Sequence, residues 1–487
     1  MTFKQAVQGS SALSVLARSV RVVICPTVVQ AGRMLMPFRQ PVQDTMTPSL
    51  DPVTRLVRAC EPNQPLSPED PRYVNFDDVR GENVVQRFER GLRRADPDRA
   101  EVKLFAGHRG VGKTSELFRL KAQLEQKRDA HRGFLVVYFD VSTSLDVNDL
   151  DFPDLLVFAA AEVQRQLAAA RLPGFSVAST YLRRVWDDIL SLLGSEVSIS
   201  GGEVEAAFAK LTLELRNRPN NRAMLRAAIE RHSTSLLQAL NDLLATARVT
   251  IREAGREGLV LVIDGLDKLV RRSLDDGRSN THERLFIDRS DQLAALEAHT
   301  IYTVPISLIY SPRCGDLEQT FGEHNVPVSM IRLRGPDRSR PTADTPGMKK
   351  MREMLAARCR SAQVSIEDAF DDRTAQYLCD MSGGHPRHLM MFVQSAANAV
   401  DHLPITRSAA EAAVRHYGNS LLREVPDEAW PKLTAFAEPA DDIPKDDLHQ
   451  QMLFLLYVFE YMNGGAPWYE VNPVLRTLPK FERSRGA

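Results

Sequence analysis

Gly107-His108-Arg109-Gly110-Val111-Gly112-Lys113-Thr114 is the stretch on which the reading of this chain turns. Its pattern, G-x-x-x-x-G-K-T, gains meaning from its flanks. A short apolar run, Val102 to Ala106, precedes it, and Ser115 to Lys127 follows with Leu117, Leu120 and Leu124 at helical spacing. Glycines let consecutive backbone N–H groups curl around an anion with no side chain in the way. A helix beginning near Lys113 turns the positive end of its dipole to the same point. Lys113 supplies a charge for β- and γ-phosphate oxygens, and the Thr114 hydroxyl suits the shell of Mg²⁺. The whole turn, Gly107 to Ser115, therefore reads as a nucleotide-phosphate cradle, with ATP and Mg²⁺ as the expected ligands.

The partner site should be an apolar strand that ends in an acid. Leu259-Val260-Leu261-Val262-Ile263-Asp264 fits, with Asp264 at the strand tip to hold Mg²⁺ through water. Asp267, one helical turn on, is placed to orient the attacking water. About 150 residues separate the two motifs, more than a compact domain of this kind needs, so the helical stretch 154–257 reads as an insertion or elaboration. Within it Leu225, Ile229, Leu236, Leu240, Leu243 and Ala247 recur at helical steps, and polar residues 194–203 separate two helical parts.

Further apolar runs, Phe134 to Val141, Thr300 to Val304 and Val328 to Leu333, read as strands. Strand, glycine turn, helix, strand is the beginning of an α/β fold with a parallel sheet. Residues 47–72 read as a linker, and folded sequence is expected from Tyr73. Residues 73–334 form the expected core. Residues 348–418 are mostly helical. The tail, 425–481, is read as a helix, Leu448 to Tyr461, followed by a hairpin signal at Asn463-Gly464-Gly465.

Composition narrows the function classes. Lys+Arg 62 against Asp+Glu 63 leaves a net charge of -1, so no global basic field collects nucleic acid. Hydrophobic content of 43% and charged content of 26% are those of a folded soluble chain. The five cysteines are dispersed, as in reduced cytosolic proteins, and a cytoplasmic location is expected. No apolar run is long enough to span a membrane. Residues 1–45 carry several arginines and one acid, Asp44, the composition of a transit peptide or of an extension ahead of an internal start at Met46.

With the loop GHRGVGKTS, the strand LVLVIDGLDKL and the later Ser382-Gly383-Gly384-His385-Pro386-Arg387 in place, residues 73–418 resemble the STAND signal-transduction ATPases. NACHT proteins are included in that group, and the origin-recognition branch of AAA+ ATPases stands close to it. The resemblance implies that Arg80, in an Arg-Gly-Glu segment, lines the base pocket. It implies that residues 348–418 form a lid whose Pro386 packs near the base and whose Arg387 senses the γ-phosphate. Lys268 stands where such proteins often carry Glu, and Thr303 is the one polar candidate on the fourth strand. Both departures point to slow turnover and a conformational switch. Arg313 lies beyond the fourth strand, the place of a trans-acting arginine finger or of an ordinary solvated loop arginine. The tail resembles a winged helix, with an apolar helix suited to a core and not to a DNA groove. The implied function is ATP-dependent switching in signalling or defence, through a protein partner or self-assembly. The alternatives are an origin-recognition-like DNA-binding ATPase and a scaffold that binds nucleotide without hydrolysis.

Overall fold

The computed structural model describes residues 50–96, 99–128, 131–175, 219–274, 279–322, 327–335 and 337–486. The leader 1–45 and the polar break at 194–203 lie outside the described residues. The described residues form one compact unit.

The chain is ordered well before Tyr73. Helix α1 (Pro52–Ala59) begins on Asp51, whose carboxylate accepts from the Thr54 amide at 3.0 Å, with proline at the first helical position. This part of the expected linker is therefore folded, and Leu56 and Cys60 are fully buried in it. Helix α2 (Val84–Arg94) follows, capped by Asn83.

The central sheet has β1 (Val102–Gly107), β2 (Leu135–Asp140), β3 (Leu259–Asp264) and β4 (His299–Pro305), all parallel, in the order β1-β4-β3-β2. Helix α3 (Lys113–Glu125) leaves the glycine turn after β1. Every residue of β3 is buried, as expected of a strand covered on both faces. One face is covered by α4 (Phe152–Ala169) and α5 (Pro219–Glu253), whose apolar residues share a core with Val137, Leu261 and Ile263. Adjacent parallel strands need a crossover, and these helices are the two ends of it. The opposite face carries α2 and α3 and shares a core with Phe459, Tyr461 and Trp468 from the tail.

Val328 to Leu333 departs from the expected fifth strand. Val328 alone bridges to Gly107, on the free edge of β1. The next amides turn elsewhere: Met330 N to Glu460 O at 3.1 Å, Ile331 N to Gly384 O at 3.3 Å, Arg332 N to Val79 O at 2.9 Å. Backbone groups must be paired somewhere, and here they fasten the sheet edge to three other parts of the chain.

The helical region comprises α6 (Pro346–Ser361), α7 (Asp372–Ser382), α8 (Pro386–Ala397) and α9 (Arg407–Glu424). It shares a core with α1 and with Trp430, Leu453 and Val474 of the tail. The tail differs from its reading in one respect. The expected helix 448–461 ends early: α10 (Asp447–Phe454) gives way at Leu456, which has φ +65°, to strand β5 (Val458–Asn463). Strand β6 (Ala466–Val471) pairs with it antiparallel, Asn463 opposite Ala466. A two-residue turn needs its partner strand immediately upstream, so the Gly464-Gly465 turn itself requires residues 458–463 to be extended.

Candidate nucleotide site

A cleft of about 410 Å³, within the range of small-molecule sites, opens at the C-terminal end of the sheet. The glycine turn and the start of α3 form its floor, the β2 and β3 tips one side, residues 61–76 another, and α6 and α8 the roof. Helix α3 starts on Gly112, φ +104°, with no side chain capping it, which leaves the first-turn amides available to an anion. Gly110 has φ +86°, and a Cβ there would lie 2.8 Å from His385 Cε1 and 3.0 Å from Arg387 Nε. The roof thus packs directly on the loop, and only glycine fits between them.

Thr114 and Asp264, 150 residues apart, meet as expected: Thr114 Oγ1 donates to Asp264 Oδ2 at 2.7 Å. Asp264 is almost fully buried, and that burial, with Asp267 nearby, raises its pKa above the ordinary carboxylate value. Its oxygens are satisfied all the same. Oδ1 accepts from the Gly265 amide at 2.7 Å, and Oδ2 also accepts from Tyr138 Oη at 2.8 Å. Gly265, at φ +87°, could carry no side chain, since a Cβ would fall 2.0 Å from Asp140 Oδ1.

Lys113 is held by the protein's own groups. Its ammonium donates to Gly107 O and His108 O, both at 2.8 Å, and pairs with Asp267 Oδ2 at 2.8 Å. Asp267 is buried beside the loop, engaged by the lysine. Arg109, Gly110, Val111, Gly112, Thr114, Ser115, Pro386 and Arg387 line the cleft. Arg80 lines it too. Nη2 donates to Val111 O at 2.6 Å and the guanidinium lies 5.6 Å from the Phe76 ring centroid, whereas Nε and Nη1 are buried without hydrogen-bond partners. Arg387 Nε is likewise unpartnered. Burial and the neighbouring Arg109 charge lower its pKa.

Gly107 and His108 are the loop residues whose side of the chain faces elsewhere. His108 is fully buried, and its ring points to the tail: Nδ1 bonds Leu453 O at 3.0 Å, and Nε2 accepts from the Glu460 amide at 2.9 Å. That pair of bonds suits only the neutral ring, and burial with the nearby Lys113 charge pulls its pKa to about 3. His385 makes the matching link from the roof, Nε2 to Arg109 O at 2.9 Å while Nδ1 accepts from the His388 amide at 3.1 Å. Its ring stacks on Phe459, centroids 6.0 Å apart.

The departures seen in the sequence resolve into packing roles. Lys268 donates to Asp140 Oδ2 at 3.0 Å and Ser142 Oγ at 2.7 Å, at the cleft edge. Thr303 is fully buried, and its hydroxyl accepts from the Leu266 amide at 3.2 Å, bracing the turn after β3. Arg313 lies away from the cleft, paired with Asp288 at 2.9 Å and Asp316 at 3.2 Å.

The part of the cleft wall formed by residues 61–72 escaped the sequence reading, which placed it in the linker. Pro65, Leu66, Val74 and Phe76 face Met354 and Met390 across the cleft, an apolar end opposite the charged loop. Leu66 N donates to Ser115 Oγ at 2.9 Å, tying this wall to α3. Asp51-Pro52 is the signal that could have revealed it, since an N-cap acid followed by proline opens a helix.

No protein-family model matches the chain, and no curated protein sequence matches it. Among solved structures it is similar to the Walker-type ATPase PABY2304 of Pyrococcus abyssi, at 14% identity and a TM-score of 0.41, covering 86% of this chain and 99% of that one. It is similar to Cdc6p of Pyrobaculum aerophilum, at 13% identity and a TM-score of 0.37, covering 88% and 97%. The ADP form of the Aeropyrum pernix ORC2 protein gives 10% identity and a TM-score of 0.38, covering 88% and 97%. These likenesses are loose. The P-loop α/β fold is assigned from this chain's own strand order and glycine turn. No helix among the described residues is long and apolar enough to cross a membrane.

Proposed function

We propose that this protein binds ATP with Mg²⁺ and hydrolyses it slowly, the nucleotide acting as a switch on the roof and tail. The observation that carries the reading is that an uncapped helix start, Thr114 with the buried Asp264 hydrogen-bonded behind it, and the roof residue Arg387 meet at one cleft. The residues fit the ligand. Arg387 holds a buried Nε–H without a hydrogen-bond partner at the cleft, and Arg80, ion-paired with Glu116 at 3.9 Å, adds a second buried guanidinium there. Phosphate oxygens answer such donors. Thr114 and Asp264 would hold Mg²⁺, which takes one or two protein oxygens and completes its shell with phosphate and water. The metal supplies charge neutralisation between the β- and γ-phosphates.

In this reading Lys113 exchanges its bonds to the loop carbonyls and Asp267 for phosphate oxygens, and Asp267, released, orients the attacking water. Arg387 contacts the γ-phosphate from the roof, so ATP and ADP hold the roof differently. Driving such an equilibrium from mostly off to mostly on takes ~5 kcal/mol of differential binding. His108 and His385 connect the loop and the roof to the tail, the route by which the switch would be read out. A cytoplasmic signalling or defence role, exercised through a protein partner or self-assembly, follows the STAND resemblance.

The DNA-binding alternative draws support from the helix-and-ribbon tail. Against it, the ribbon buries Phe459, Tyr461 and Trp468 in the sheet's own core, and its tip, Asn463 to Ala466, has no basic residue. The test is ATP binding and single-turnover hydrolysis by wild type, Lys113→Ala and Asp267→Asn. Lys113→Ala should lose affinity, and Asp267→Asn should keep affinity and lose turnover. Full affinity in Lys113→Ala would refute the site. Hydrolysis at background in wild type would leave a nucleotide-binding scaffold. Salt-sensitive, ATP-dependent duplex binding would favour the DNA reading.

A further inference from the structure

Strand β2 brings a third group to the Thr114–Asp264 pair. Tyr138 and Asp140 stand two apart on β2 and so share a face of the strand. Tyr138 Oη donates to Asp264 Oδ2, the same oxygen that accepts from Thr114, at 2.8 and 2.7 Å. Asp264 is 1% exposed, so fixed donors, not bulk water, set the orientation of its carboxylate. The Tyr138 ring is itself held, edge-on to Phe118 of α3 at 5.0 Å between centroids. Of the two hydroxyls on Oδ2, Thr114 is the one expected to meet the metal. Tyr138 meets only the carboxylate.

We propose that Tyr138 is a positioning residue of the metal shell, aiming the Asp264 carboxylate at the cation that Thr114 also binds. This rests on the Mg²⁺-nucleotide reading above. A half-buried phenol packed against the core pre-orients the carboxylate, and donors to metal-binding groups commonly set metal affinity. Nothing in the strand's composition separates this tyrosine from an ordinary core residue; the bond to a residue 126 positions away does.

The experiment measures Mn²⁺ affinity in the presence of ADP, and ADP affinity in EDTA, for wild type, Tyr138→Phe and Phe118→Leu. Tyr138→Phe keeps the ring and removes the hydroxyl. It should weaken Mn²⁺ binding about 10-fold or more, leave ADP affinity in EDTA unchanged, and regain turnover at high Mg²⁺. Phe118→Leu removes the edge contact that holds the phenol ring but leaves its hydroxyl, and should weaken Mn²⁺ binding less than Tyr138→Phe does. Wild-type Mn²⁺ affinity in Tyr138→Phe, with ADP bound, overturns the role of Tyr138 alone. So does an equal loss of ADP affinity in EDTA, or the same Mn²⁺ loss in Phe118→Leu. A wild-type chain that binds no ADP overturns the nucleotide reading and this one with it.

Discussion

Replacing Glu460 by glutamine should change the pH dependence of stability in a defined way. Glu460 lies on β5 at the seam where the tail meets the loop, fully buried. Its amide donates to His108 and its carbonyl accepts from Met330. One carboxyl oxygen accepts from the Tyr310 hydroxyl, and the other has no partner. Burial pushes its pKa from the ordinary 4.5 up to about 7, against a smaller opposing effect of the Tyr310 bond. Between those two values the folded chain holds a proton that the unfolded chain has lost. Stability therefore falls as pH rises through this window, by at most about 3 kcal/mol at 1.36 kcal/mol per unit. Glutamine carries no charge to bury. Urea unfolding at pH 5 and pH 8 should show the two proteins close together at the lower pH. At the higher pH the glutamine variant should be the more stable by roughly 2–3 kcal/mol. The difference between the proteins is the quantity to read, because the buried histidines impose a slope of opposite sign on both. A difference that stays constant from pH 5 to pH 8 would refute the reasoning.

Those histidines make the second prediction. Burial holds His108 and His388 at about 3 and His282 at about 4, below the ordinary 6.5. The stability they favour is complete above pH 6.5 and is lost as pH falls. By pH 5 each should cost up to about 2 kcal/mol, and His108→Gln should flatten the acid limb of the unfolding profile. Gly110→Ala should abolish ATP binding, since the new Cβ meets His385 and Arg387 and the backbone is at positive φ. Calorimetry with ATP checks this, and wild-type affinity would count against the packed roof. Ser115→Ala strands the Leu66 amide and should cost about 1 kcal/mol, with faster hydrogen exchange at Leu66 as its signature. Arg387→Ala should bring ATP and ADP affinities together, measured by competition, if Arg387 is the roof group that meets the γ-phosphate as proposed.

Much of the site could be read without coordinates because its logic is local. Glycines, lysine and threonine sit within eight residues of one another between a strand and a helix, and their roles follow from backbone freedom and charge. Asp264 was legible at the end of a fully apolar run for the same kind of reason. His108 was not, because pattern matching assigns every loop position to the ligand, whereas the ring at this position turns to Leu453 and Glu460 more than 340 residues away. Residues 61–72 were misread because proline and polar composition describes a linker and a pocket wall equally well. The helix expected over 448–461 failed where its apolar run met the turn at Gly464-Gly465, whose geometry demands strand pairing upstream.

What the amino-acid order determined by itself is the glycine turn with its lysine and threonine, the acid at the end of β3 and the parallel α/β class, since each is a consequence of neighbouring residues. Folding in three dimensions decided which atoms those groups meet: Lys113 against Asp267, Arg387 over Gly110, Tyr138 on Asp264, and the tail ribbon against the sheet. These are contacts between residues far apart along the chain, selected by shape, burial and hydrogen-bond satisfaction, and no local pattern encodes them.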